Sequence, residues 1–127
     1  MIVVDTSALM AILLDEPTAN ACSDALSAGD ELLISAGTLA EALIVSGRHR
    51  LDGDLKQLID GLGFEVVPVT QASAQRVGHA YDRWGKGLDA ASLNFGDCFA
   101  YEVAKERQCR LLFVGNDFSR TDIVSVL

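Results

Sequence analysis

The sequence predicts an α/β domain built on a mainly parallel sheet, and two observations carry that prediction. Short apolar runs rich in β-branched residues alternate with longer helical segments along the whole chain. Half of the 127 residues are hydrophobic, enough for one core, and no repeat, low-complexity tract or linker divides residues 1–127. Strands joined through helices imply right-handed crossovers and parallel neighbours.

The elements follow in order. Ile2–Val4 is a short, apolar, β-branched run and reads as a buried strand. Thr6 or Ser7 can cap a helix running through Ala8 to Leu14, after which Pro17 opens the next element. A second helix, about Thr18–Ser27, leads through Gly29-Asp30 into a strand at Leu32–Ile34. Ser35 or Thr38 starts a helix that carries Glu41 and reaches about Arg48. A shorter helix at Asp54–Leu62 is stopped by Gly63, and Phe64–Val69 is a strand with Pro68 near its end. Val77, Ala80, Tyr81 and Trp84 share one face of a helix over Gln71–Trp84, broken by Gly85-Lys-Gly87. A loop reaches Leu93. Asn94 caps a helix over Gly96–Glu106, Leu111–Val114 is a strand, and Ile123–Val126 is the predicted last strand.

Composition narrows the function classes. The apolar start is interrupted by Asp5 and has no basic flank, so it resembles neither a signal peptide nor a membrane span. Three cysteines, Cys22, Cys98 and Cys109, include no C-x-x-C pair, which argues for reduced thiols in the cytoplasm and against a zinc site. The net charge is −8, and no Lys or Arg precedes Arg48. A polyanion is therefore not drawn to the chain as a whole. Arg48-His49-Arg50 and the helical set Arg76, His79, Arg83 concentrate what positive charge there is; for the latter a solvated face is the simpler reading and RNA contact the second.

Four acids stand out from this background. Asp5 closes the first strand, Glu41 is the lone charge between Leu39-Ala40 and Ala42–Val45, Asp97 opens an apolar helix, and Asp117 follows the strand at Leu111. Asp5 and Asp117 lie beyond the carboxyl ends of strands, where parallel α/β sheets bind ligands. Carboxylates that meet there repel by about 4 kcal/mol per pair at 4 Å and a near-surface dielectric. Hard divalent cations with oxygen ligands are the usual remedy. The residues therefore point first to a metal-dependent phosphodiesterase. Each acid also has a plainer reading. Asp5 can accept hydrogen bonds at a helix start, Glu41 can pair with Arg48, Asp97 can form a capping pair with Asn94, and Asp117 can belong to a Gly-Asn-Asp turn.

The ordered segments Val-Val-Asp5-Thr-Ser-Ala-Leu, Leu-Ala-Glu41-Ala, Leu-Asn-Phe-Gly-Asp97-Cys-Phe-Ala-Tyr and Leu-Leu-Phe-Val-Gly-Asn-Asp117-Phe resemble a PIN domain, and more narrowly the VapC toxins of toxin–antitoxin pairs. The resemblance runs from Met1 to about Ile123 and is most specific around Asp97 and Asp117. It implies a three-layer α/β/α sandwich with a central parallel sheet. It also implies a Mg²⁺- or Mn²⁺-dependent endoribonuclease, a VapB-like antitoxin partner and a homodimer. The family's acidic positions fall on Asp5, Glu41, Asp97 and Asp117, with Asp122 as an accessory acid and Asp5, Asp97 and Asp117 as metal ligands. This chain has Val114 and Leu88-Asp89 where close relatives often carry basic residues, which removes positive charge near the RNA path.

The implied reaction is in-line attack of water on a phosphodiester, with Glu41 orienting the water, leaving a 3′-hydroxyl and a 5′-phosphate. Neither histidine, His49 or His79, lies near the acidic segments, so no His base is expected. Three rivals remain. A haloacid-dehalogenase-like phosphatase needs a second Asp two residues after Asp5, where this chain has Ser7. A phosphoacceptor receiver domain needs a Lys after a late strand, which Val114-Gly-Asn-Asp does not supply. An inactive module with an acidic pocket would bind a partner's arginine, with Ala8–Leu14 and Ala19–Leu26 as docking or core segments.

Overall fold

A computed structural model describes all 127 residues. Four strands form one parallel sheet: β1 (Ile2–Val4), β2 (Leu32–Ser35), β3 (Glu65–Val67) and β4 (Arg110–Leu112). Their spatial order is β3-β2-β1-β4. The chain steps outward from β1 to β3 and then returns to the other side of β1. The reversal between β1 and β4 is the position where such sheets open a crevice at their carboxyl ends.

Six helices cover the two faces: α1 (Thr6–Leu13), α2 (Ala19–Leu26), α3 (Ala36–Arg48), α4 (Asp52–Leu62), α5 (Gln71–Trp84) and α6 (Phe95–Glu106). The alternation of side chains along each strand builds two cores. Ile2, Val4, Leu32, Ile34 and Leu112 point to one face, against Leu9 of α1, Cys22 and Leu26 of α2, Ala42 of α3, and Leu55 and Ile59 of α4. Val3, Leu33 and Leu111 point to the other, against Val77 and Ala80 of α5 and Cys98, Tyr101 and Val103 of α6. This is the three-layer α/β/α sandwich. No helix is long and apolar enough to cross a membrane.

Several expectations are corrected. Asp5, not Thr6 or Ser7, is the N-cap of α1, because its side chain accepts from the Ser7 backbone N–H and Thr6 is already helical. For the apolar stretches at Ala8–Leu14 and Ala19–Leu26 the core reading holds at Ala8, Leu9, Met10, Ala11, Ala19, Cys22 and Leu26, which are buried. The helix expected at Asp54 begins two residues earlier, at Asp52, and ends on Gly63 at φ +69, a left-handed cap that glycine adopts without steric cost. The strand expected at Phe64–Val69 is limited to Glu65–Val67. The strand expected at Ile123–Val126 is a single parallel bridge between Leu111 and Ser125. The Leu111 N–H donates to the Val124 carbonyl and the Val126 N–H to the Leu111 carbonyl, while the Ser125 hydroxyl closes locally on Leu127.

Candidate active site at the β1/β4 switch point

Asp5 reaches the site because β1 ends on it. Its backbone N–H donates to the Leu112 carbonyl at 3.0 Å, extending the ladder with β4, and its side chain turns to cap α1. The Ser7 N–H and hydroxyl both donate to Asp5 Oδ2, at 3.1 and 2.7 Å. Asp5 Oδ1 is buried and has no hydrogen-bond partner. The residue is only 4% exposed, and burial, opposed by those bonds and aided by the Glu41 charge, pushes its carboxyl up to about 6.

Asp97 sits in the first turn of α6, 7% exposed. Its N–H donates to Asn94 Oδ1 at 2.8 Å, and its Oδ2 accepts from the Asn94 N–H at 3.0 Å, a reciprocal capping box. Burial pushes its carboxyl up to about 7. The Asn94 bond works against that rise, while the charges of Asp5, Asp117 and Glu41 add to it. Asp5, Asp117 and Glu41 therefore all act on Asp97.

Glu41, at the middle of α3, faces the same crevice. The Thr6 hydroxyl donates to its Oε1 at 2.7 Å, and its carboxylate lies against Gly96, where any Cβ would collide with it. Glu41 thus makes no pair with Arg48. Gly96 is a close-approach position beside the acids that sequence reasoning missed; a helix-weakening glycine beside Asp97 is the signal that hinted at it. Asp117 is exposed, on the turn after β4. Its backbone is reached through Gly115 at φ +96, and Val114 N–H donates to the Ser7 hydroxyl at 3.0 Å.

Two groups flagged in the sequence lie elsewhere. Asp122 accepts from the Tyr101 hydroxyl at 2.7 Å and pairs with Lys105 at 3.0 Å. Although burial opposes it, these partners hold its carboxyl below the ordinary range. It anchors the C-terminal segment rather than joining the four acids. Arg76 donates to Glu102 at 2.9 Å, and Arg83 stacks over Trp84 at 4.4 Å. Both arginines of that face are therefore engaged within the chain.

A hard divalent cation fits this donor set. Every donor is a carboxylate oxygen, the buried Asp5 Oδ1 lacks a partner, and two carboxyls are held well above their ordinary range in the absence of a counter-charge. The neighbouring Cys98 thiol is pushed up to about 11, by burial first and the Asp97 charge second, so it stays protonated and is no competing ligand. The acids are not gathered into a ready ligand set: no three His, Cys, Asp or Glu side chains stand positioned to hold an ion. One oxygen each of Asp5, Asp97 and Glu41 is committed to a protein hydrogen bond.

Comparison with known proteins agrees with this fold. The PIN domain family model matches residues 2–124. Ribonuclease VapC28 of Mycobacterium tuberculosis is 41% identical over 129 residues, covering 98% of this chain and 97% of the relative. Ribonuclease VapC of Mycolicibacterium smegmatis is 39% identical over 129 residues and 98% of each chain. The crystal structure of M. tuberculosis VapC20, a Sarcin-Ricin loop cleaving toxin, superposes with a TM-score of 0.81 over 99% of this chain and 98% of that one, at 19% identity. A toxin–antitoxin complex from Klebsiella pneumoniae gives a TM-score of 0.74 at 17% identity, over 98% and 97% of the two chains. The chain belongs to the PIN domain family, among the VapC ribonucleases.

Proposed function

We propose that this chain is a Mg²⁺- or Mn²⁺-dependent endoribonuclease, the toxin of a type II toxin–antitoxin pair. The observation that carries the reading is the buried, unpartnered Asp5 Oδ1, together with an Asp97 carboxyl raised by burial first and then by the charges of Asp5, Asp117 and Glu41. Asp5, Asp97 and Asp117 would hold the ion. A bound divalent cation lowers the pKa of a water and stabilises charge developing on phosphoryl oxygens. Glu41, fixed by Thr6 and Gly96, orients the attacking water. The RNA phosphodiester is cut to a 3′-hydroxyl and a 5′-phosphate. The names of the relatives support RNA as substrate, and the toxin–antitoxin complex among the structural neighbours supports a VapB-like antitoxin. Homodimerisation and a cytoplasmic location belong to the same proposal.

One rival keeps a specific observation in its favour. An unpartnered buried carboxylate oxygen also suits a guanidinium donated by a partner protein, and the acids are not preassembled for an ion. Incubation of the purified protein with total RNA in Mg²⁺, in Mn²⁺ and in EDTA, beside Asp5→Asn, separates the readings. Cleavage that needs metal and vanishes in the variant is the expected result. Intact RNA throughout, with no heat of metal binding, favours the partner-binding module.

A further inference from the structure

We propose that Ser7 is a positioning residue whose one hydroxyl sets both the orientation of Asp5 and the approach of the turn that carries Asp117. The inference rests on the metal-dependent reading above and extends it to a residue with no ligand role of its own. The Ser7 hydroxyl accepts from the Val114 N–H at 3.0 Å, across 107 residues of sequence. A backbone amide only donates, so the hydroxyl proton is free for Asp5, and Ser7 Oγ lies 2.7 Å from Asp5 Oδ2. With the Ser7 N–H on the same oxygen, Oδ2 is committed on the α1 side and Oδ1 is the atom left over.

Val114 immediately precedes Gly115, whose positive φ swings the chain into Asn116 and Asp117. The last ladder pair of β1 and β4 is Val4 with Leu112, followed by Asp5 N–H to the Leu112 carbonyl. The Ser7–Val114 bond is the next tie, and it lies between the ladder and the Asp117 turn. The same hydroxyl therefore couples two of the acids. The cap of α1 does not need it, because that cap uses the Ser7 backbone N–H. Outer partners of this kind typically change metal affinity by about 10–100-fold when removed.

Mn²⁺ titration of the metal-free protein by calorimetry, with amide NMR of residues 114–117, tests this in Ser7→Ala and Ser7→Thr. Ser7→Ala is expected to weaken Mn²⁺ binding about 10–100-fold and to shift the Val114 and Asp117 amides, with the rest of the spectrum unchanged. Ser7→Thr, which keeps the hydroxyl, is expected to restore both. Wild-type affinity in Ser7→Ala overturns the proposal, as does a loss that Ser7→Thr leaves unrepaired. Should the wild-type chain take up no Mn²⁺, the metal-dependent reading fails. Unmoved Val114 and Asp117 amides in Ser7→Ala then overturn the positioning role separately.

Discussion

Replacing Asp97 with Asn should stabilise the metal-free protein while abolishing its chemistry, and the gain should depend on pH. The folded chain raises the Asp97 carboxyl from the ordinary 3.8 to about 7, with burial the largest cause. Between those values the folded state holds a proton that the unfolded state has released, so stability falls as pH rises through that window. At about 1.4 kcal/mol per tenfold change in proton affinity, the ionised side chain costs the fold about 4 kcal/mol above pH 7, an upper bound because neighbours relax. Asparagine removes the charge and keeps an oxygen for the Asn94 N–H, so the capping box survives. Urea denaturation in EDTA, followed by the fluorescence of the single tryptophan, Trp84, reads the difference. The variant should match wild type near pH 3, below both values, and exceed it by about 2–4 kcal/mol at pH 8. A variant that is less stable by the same amount at both pH values would refute the electrostatic reasoning.

Three further outcomes follow from the same geometry. Gly96→Ala should favour the helix by about 0.5–1 kcal/mol on backbone grounds, yet its Cβ meets the Glu41 carboxylate; RNA cleavage should drop by about 10²-fold, and full activity would deny Glu41 its role. Tyr101→Phe removes the donor to Asp122 and the acceptor for Trp84 Nε1. Thermal denaturation should show a loss of about 1–2 kcal/mol, with cleavage per folded molecule unchanged. Arg76→Ala leaves Glu102, whose side chain is 5% exposed, without its cation; because Arg76 itself is 41% exposed, the expected cost is about 1–3 kcal/mol in urea titration, with RNA affinity unaltered.

Much of this molecule is legible in the sequence because strong local signals agree with the packing. Gln71–Trp84 carries helical periodicity, Asn94 caps the α6 segment, and both helices form where expected. The parallel sheet follows from the alternation of elements. The ends of weak elements were not legible, since Ile123–Val126 has β-branched residues but pairs with β4 through Leu111 alone. At the site, the acids announce themselves by sitting in apolar surroundings, whereas their partners do not. That Thr6 serves Glu41 and Ser7 joins Asp5 to Val114 depends on contacts across 35 and 107 residues, which no local pattern encodes. The acid that holds Arg76, Glu102, comes from another helix 26 residues on, so that pair was not legible either.

The central claim is that Asp5, Asp97 and Asp117 hold one centre for a divalent cation. Anomalous diffraction from crystals soaked in Mn²⁺ tests it most directly. The account predicts an anomalous peak bonded to Asp5 Oδ1 and to an Asp97 carboxylate oxygen, on the Asp117 side of the crevice between β1 and β4. A peak elsewhere, or none in crystals of protein that cleaves RNA in Mn²⁺ solution, would contradict it.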